Sequence, residues 1–295
     1  MKRSMSERVF NVCNIILMIF LCVIMIYPYI NQVAVSLNEG MDTMAGGITI
    51  FPRKFALENY KTVLSNPDFL QAALISVSKV ILHVVLTITV TFFAAYALTR
   101  KGLPWKRGFT MYMMIPAYVS AGVIPTYILY RYLGLIDNYW VYVLPGLFGF
   151  YNMVIIRSFL QEIPESIDES ALIDGANEFQ IMYKITLPLS LPVLATVTLW
   201  VAVASWNEYN STLMYITSKN LYTLQYLMMQ IVKESELVQQ MAIQSAMGNA
   251  NATAQPTPDS IKAATLIVTT TPIILTYPFL QRYFVKGITM GAVKG

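Results

Sequence analysis

The chain reads as an all-α polytopic membrane protein, with six spanning helices and one long cytoplasmic loop forming a single domain over residues 1–295. Composition is the first sign. Of the 295 residues 56% are hydrophobic and only 12% charged, and mean hydropathy is +0.54, outside the range of soluble globular domains. The second sign is the recurrence of apolar runs near the ~20 helical residues that a bilayer's hydrocarbon core requires. The third is a polar island of 25 residues, Pro164 to Pro188, set between two such runs and patterned for short helices.

Lys2, Arg3 and Arg8 precede the first run, residues 9–35. It opens like a signal peptide, but a signal core covers only ~7–15 residues and no small-residue cleavage pattern follows, so it reads as a retained span. Its Cys13 and Cys22 have neither a disulfide framework nor a ligand spacing, and read as lipid-facing or packing residues. Residues 36–71 fall outside, where FPRKFALENYKTVLSNPDF alternates aromatic, charged and proline residues as interfacial helices do. The second span, 72–98, ends in Arg100, Lys101, Lys106 and Arg107, the densest basic loop. The third, 109–130, contains Pro116 and Pro125, and the fourth, 139–160, contains Pro145, Gly146 and Gly149. Each proline frees a carbonyl that lipid cannot satisfy, so these faces should turn toward protein or a wet cavity. The fifth span, 187–206, leads into an outer loop, 207–262. There Leu224, Leu227, Met228, Ile231 and Val232 recur at helical spacing before a weakly structured SAMGNANATAQPTPDS. The sixth span is 263–284.

Charge sets the orientation. With the polar island inside, twelve of the 20 Lys and Arg residues are inside and eight outside; the twelve are Lys2, Arg3, Arg8, Arg100, Lys101, Lys106, Arg107, Arg157, Lys184, Arg282, Lys286 and Lys294. The inside loops are also the short ones, which the positive-inside rule weighs, so the island and both termini should be cytoplasmic. A net charge of +4 placed beside spans, not in one basic patch, argues against nucleic-acid binding. No G-x-x-x-x-G-K-[ST] loop occurs, so the chain cannot cradle ATP in the usual way, and no metal-ligand cluster is apparent.

Within the island, Pro164 suits a first helical position, Ile163, Ile167 and Ala171 recur every four residues, and Gly175 can take the left-handed conformation that ends a helix. Asn177 can cap a second short helix with Gln180 returning the bond, and Phe179, Met182 and Tyr183 form its apolar stripe. Two short helices bent at a glycine make a knob that seeks a groove. The order Glu169, Ser170, Ala171, three residues, Gly175, nine residues, Ile185, one residue, Leu187 and Pro188 resembles the EAA loop of membrane subunits of ABC importers. Ser170 stands where that loop usually has its first Ala. FPRKFALENYKTVL, GLIDNYWVYVLP, WNEYN and VKGITMGAVKG extend the resemblance to the carbohydrate-uptake branch of these permeases over nearly the whole chain. They are similar to the maltose importer's smaller membrane subunit, and more so to the permeases of importers of the alginate and lipoprotein-anchored types.

The resemblance implies a type I ABC importer fold and a non-catalytic permease in the bacterial cytoplasmic membrane, carrying oligosaccharides or polysaccharide fragments. It implies a second, homologous permease, two ATPase subunits that bind ATP and Mg, and an extracytoplasmic solute-binding protein. Residues 161–188 become the coupling loop, docked in an ATPase cleft. Glu169 would meet a basic partner there, Gly175 set the bend, Ala171 permit close approach and Asp174 add charge. The outer loop after Trp206 would reach the binding protein, and the tail from Gly291 to Gly295 could lie against the ATPase pair. Closure of the ATPases on nucleotide would then turn the cavity from outward to inward access.

Ionisable residues at membrane depth are functional candidates by default. His83 reads as a packing or interhelical histidine, and Lys79, a turn earlier, as one that snorkels outward. Tyr151 and Asn152 near the middle of the fourth span, with Trp206, Asn207 and Glu208 at the mouth of the fifth, form a candidate substrate path. Aromatic faces and amides are what sugars need, although Asn152 reads more readily as a hydrogen bond to a neighbouring helix and Glu208 could be a gate, an intersubunit partner or an exposed interfacial carboxylate. Trp105 and Trp140 read as interfacial belt residues, and the sequons at Asn210 and Asn251 as chance in a bacterial cell. A gradient-driven secondary transporter of polar solutes is the alternative, but it should show repeated halves and buried coupling carboxylates, which these spans almost lack. An intramembrane enzyme would need more than one His without a nearby Cys or Asp.

Overall fold

The computed structural model describes residues 5–244 and 257–292, and every regular element within them is helical. Helix α1 runs Met5–Ser36, α2 Gly40–Met44, α3 Glu58–Leu64 and α4 Pro67–Thr99. The last starts with proline at a position whose N–H would be unpaired anyway, and the Asn66 side chain accepts from the Asp68 N–H at 2.9 Å. The range 109–130, expected as one span, is two helices, α5 (Lys106–Tyr118) and α6 (Val123–Tyr132), meeting at 113°. Gly122 at φ +84° lies at the break.

The range 139–160 is also interrupted. A 3-10 turn at Tyr139–Tyr142 gives way to a loop with Gly146 at φ +80°, and then to α7, Phe150–Leu160. At 1.5 Å per residue its 11 residues cover about 17 Å, roughly half of a hydrocarbon core. The polar island forms α8, Glu165–Ile173, and α9, Glu178–Ile181, then a π turn, Met182–Thr186, and α10, Leu187–Leu189. Helix α11, Leu191–Asn207, follows after a 74° bend at Ser190, which Pro188 and Pro192 flank. The apolar run assigned to 187–206 is therefore the far arm of a bent pair that begins at Glu178. Then come α12, Asn210–Tyr215, a 3-10 turn at Lys219–Leu221, α13, Leu224–Gln244, and α14, Pro258–Ala292, which contains the run 263–284. Among the described residues α1 and α4 are each long and apolar enough to cross a membrane, and the two bent pairs raise the number to four. Most of SAMGNANATAQPTPDS, with Asn251, and the last three residues lie outside the described residues.

The chain divides into two compact units, one joining residues 1–70 with 227–271, the other joining 71–226 with 272–295. In the first, the stretch expected to lie at the interface is a hydrogen-bonded knot. Buried Asn59 donates to the carbonyls of Ser36 and Asn38 at 2.9 and 2.8 Å, and Arg53 pairs with Asp42 at 2.9 Å. In the second, Phe92, Ala95 and Leu98 of α4 pack with Met153, Ile156 and Leu160 of α7 and with Val193, Val197 and Val201 of α11. In lipid such a core is held by close packing, because acyl tails are as apolar as its leucines.

Candidate functional site

The candidate residues gather at two places, both within the second unit. One is the elbow made by α8 and α9. Pro164 is the cap residue before α8, and the helix proper begins at Glu165, with Glu165 and Asp168 in the first turn, where the helix dipole favours carboxylates. The helix ends in a Schellman motif: the Gly175 N–H donates to Leu172 O at 3.0 Å and the Ala176 N–H to Ala171 O at 2.9 Å. Gly175 sits at φ +82°, and a Cβ there would meet nothing within 4 Å, so backbone strain alone selects glycine. The reciprocal cap expected between Asn177 and Gln180 is present, both bonds at 2.9 Å.

Exposure sorts the residues of the elbow. Glu169, Asp174 and Gly175 are exposed, whereas Ala171 is 8% exposed and buried within its own chain. The elbow's outer surface instead carries Leu172, Ile173 at 86% exposure, Phe179 at 72% and Tyr183. Sequence reasoning missed the first two. They lie off the Ile163, Ile167, Ala171 stripe, and an apolar pair on a polar face was the signal.

The carboxylates also divide. Asp168 pairs with Arg100, and Glu165 with Lys101; the hydrogen bond and charge of Glu165 raise the pKa of Lys101 above its ordinary value. Glu178 approaches Arg100 Nε at 3.5 Å. Glu169 and Asp174 make no ion pair among the described residues, which leaves them available at the surface.

The second place is a cavity of about 510 Å³ between α4, the 139–146 segment, α7 and α11. Lys79 does not snorkel. It is 1% exposed, and its ammonium donates to Glu208 O at 2.8 Å and Oε2 at 3.2 Å, 5.0 Å from the centre of the Tyr142 ring. A buried ammonium needs a paired charge, and Glu208 at the end of α11 supplies it, which gives the carboxylate a role within this chain. The Glu208 carboxylate also accepts from the Ser211 N–H at 2.7 Å. His83 lies within 3.1 Å of Val143 O through Nδ1, in keeping with a packing histidine. Tyr151, Asn152 and Glu208 all line the cavity, together with Trp200, whose ring stacks on Tyr151 at 6.4 Å and 24°. Trp206 and Asn207 are not brought to it. Trp206 is buried, and Asn207 donates to Val203 O at 3.0 Å and accepts from Gln225 at 3.2 Å.

Residues 87–290 match the model of a family described as the binding-protein-dependent transport system inner membrane component. The chain belongs to that family. The permease is 34% identical to Protein LplC of Bacillus subtilis (strain 168) over 295 residues, covering 100% of this chain and 98% of that one. It is 32% identical to the polygalacturonan/rhamnogalacturonan transport system permease protein YtcP of the same organism over 291 residues, covering 99% and 100%. Its fold matches a chain in the crystal structure of a bacterial ABC transporter involved in the import of the acidic polysaccharide alginate, with a TM-score of 0.85, 25% identity, and coverage of 96% and 99%. It is thus an ABC transporter permease, a non-catalytic inner-membrane component.

Proposed function

We propose that this permease forms half of the translocation pathway of an ATP-driven, binding-protein-dependent importer of oligosaccharides or polysaccharide fragments. The observation that carries the reading is the elbow: two capped helices bent at Gly175, with Glu169, Asp174, Ile173 and Phe179 exposed on its outer surface. An apolar tip ringed by carboxylates fits a groove with basic walls, which a separate ATPase subunit supplies. Two such ATPases, a second homologous permease and an extracytoplasmic binding protein complete the assembly. Six spans put the elbow and both termini in the cytoplasm: α1, α4, the bent pair α5–α6, residues 139–160, the bent pair from Glu178 to Asn207, and α14. A relative named for polygalacturonan/rhamnogalacturonan transport and a structural neighbour involved in alginate import support a saccharide cargo.

Tyr151, Asn152 and Glu208 form the cargo-facing wall, joined by Trp200. Trp206 and Asn207 support that wall from α11 without touching the cavity. The stacked Tyr151 and Trp200 rings offer an apolar face for sugar C–H surfaces, and Asn152 offers both donor and acceptor to hydroxyls.

The test is reconstitution of the full assembly in proteoliposomes with loaded binding protein. Wild type is expected to copurify with its ATPase and to take up oligosaccharide only with ATP. Glu169→Lys combined with Gly175→Trp should insert normally yet abolish uptake. Wild-type uptake by that double variant, or uptake by the purified chain without a nucleotide-hydrolysing partner, overturns the reading.

A further inference from the structure

We infer that Arg100 makes α4 a second lever of the coupling elbow, acting as a positioning residue inside the permease. The inference rests on the coupling role proposed for residues 164–188. One covalent route from the elbow leads back through residues 161–164 into the 11-residue α7, and the other runs through the π turn at 182–186 and the 74° bend at Ser190 into α11. A wide turn and a bend are poor transmitters of a push. Helix α4, by contrast, does not adjoin the elbow in the chain and is continuous over 33 residues.

Arg100 follows α4 directly and touches both arms of the elbow. Its Nη1 donates to Asp168 of α8, and its Nε lies 3.5 Å from Glu178 Oε2 of α9. The guanidinium carbon sits 4.1 Å from the centre of the Tyr96 ring, one turn back on α4. The Tyr96 hydroxyl donates to Glu178 O and Oε2 at 3.2 and 3.1 Å, so the stacking partner is tied to the same arm. Lys101 adds the pair with Glu165. One planar cation therefore spans the bend at Gly175, with a hydrogen bond from Nη1 to Asp168, an ion pair with Glu178 and its flat face on Tyr96 at once, which an ammonium cannot do.

The N-terminal half of this helix is tied as well. Lys79 lies 21 residues earlier, about 32 Å along the axis at 1.5 Å per residue, and holds Glu208 at the end of α11. Helix α4 is thus fastened to the elbow at Arg100 and to the end of α11 at Lys79, with the cavity beside Lys79. Displacing the elbow moves the helix as a rod and carries the cavity wall with it. The three carboxylates held by Arg100 and Lys101 work within the chain, and Glu169 and Asp174 are the ones that meet a partner.

The experiment measures solute transported per ATP hydrolysed by the full assembly, together with ATPase copurification and thermal unfolding. Arg100→Ala should keep the ATPase bound and stimulated by loaded binding protein, while transport per ATP falls about tenfold, within the usual range of coupling free energies. Arg100→Lys should lie between the two, and Arg100→Asp with Asp168→Arg should recover much of the loss. If Arg100→Ala does not insert, Arg100→Lys and Asp168→Asn decide the question through the same ratio. An unchanged ratio in these variants overturns the inference, as does loss of ATPase binding with a normal ratio in what remains. The coupling reading itself fails separately, through wild-type uptake when Glu169→Lys is combined with Gly175→Trp.

Discussion

The pair between Lys79 and Glu208 is asymmetric: the lysine side chain is 2% exposed and the glutamate 33%. Removing each partner therefore leaves a different problem. Glu208→Ala strands an ammonium away from water and should cost about 3 kcal/mol or more, the usual penalty for an uncompensated buried charge. Lys79→Met leaves a carboxylate that can reach solvent and should cost clearly less, and the double variant should be more stable than Glu208→Ala alone. Thermal unfolding in detergent checks the order of the three, and equal losses would contradict the asymmetry. The snorkelling expectation for Lys79 failed because it assumed that this face of the helix meets lipid. Lys79, His83 and Thr87 recur every four residues, and that polar stripe on an apolar helix was the legible sign of an inward face. His83 does pack against its own chain, as its setting among valines suggests, while Trp200 escaped notice because nothing in the local sequence separates a cavity-facing tryptophan from a belt residue.

Elements were legible where their ends carry chemistry and illegible where they bend. The cap at Asn177 and Gln180 and the glycine stop at Gly175 depend on short-range spacing, which sequence records directly. The breaks at Gly122 and Ser190 do not, since hydropathy is the same for a straight span and a folded one; only the nearby prolines hinted at them. Gly175→Ala should cost about 1–2 kcal/mol through left-handed strain, and Gly175→Asn less, because there is room for a side chain. Unfolding midpoints of the two variants test this. A second element is a staple between loops. Asp137, at φ +53°, accepts from the Thr217 N–H at 3.0 Å, the Ser218 N–H at 2.8 Å and the Ser218 hydroxyl at 2.5 Å. The Ser218 hydroxyl and these amides hold its carboxyl well below the usual range, at about 2. Because the folded value is the lower one, this stabilisation is complete above the unfolded value of 3.8 and is lost as pH falls toward about 2. The thermal midpoint of Asp137→Asn should therefore vary less than that of wild type between these values. Identical slopes would count against the staple.

At the scale of the molecule, family and helical class were legible because the loop's motif and the composition are both properties of the chain itself. The six spans read from the sequence remain a proposal, since two of them are bent pairs and α7 by itself covers about half of a hydrocarbon core. Six spans make a direct topological prediction. In a variant with Cys13 and Cys22 replaced by serine, a membrane-impermeant maleimide should label Tyr132→Cys from outside, and Ile173→Cys only after permeabilisation. Labelling of both from the same side would remove the proposed arrangement.

Ile173 and Phe179 carry a further consequence for the life of the subunit. On the proposed docking, a permease made without its motor would hold two large greasy side chains out in the cytosol, the kind of surface that surveillance chaperones and proteases seek. Orphan copies are therefore expected to turn over faster than assembled ones. The tip proposed to seat the machine would then also keep its parts in proportion.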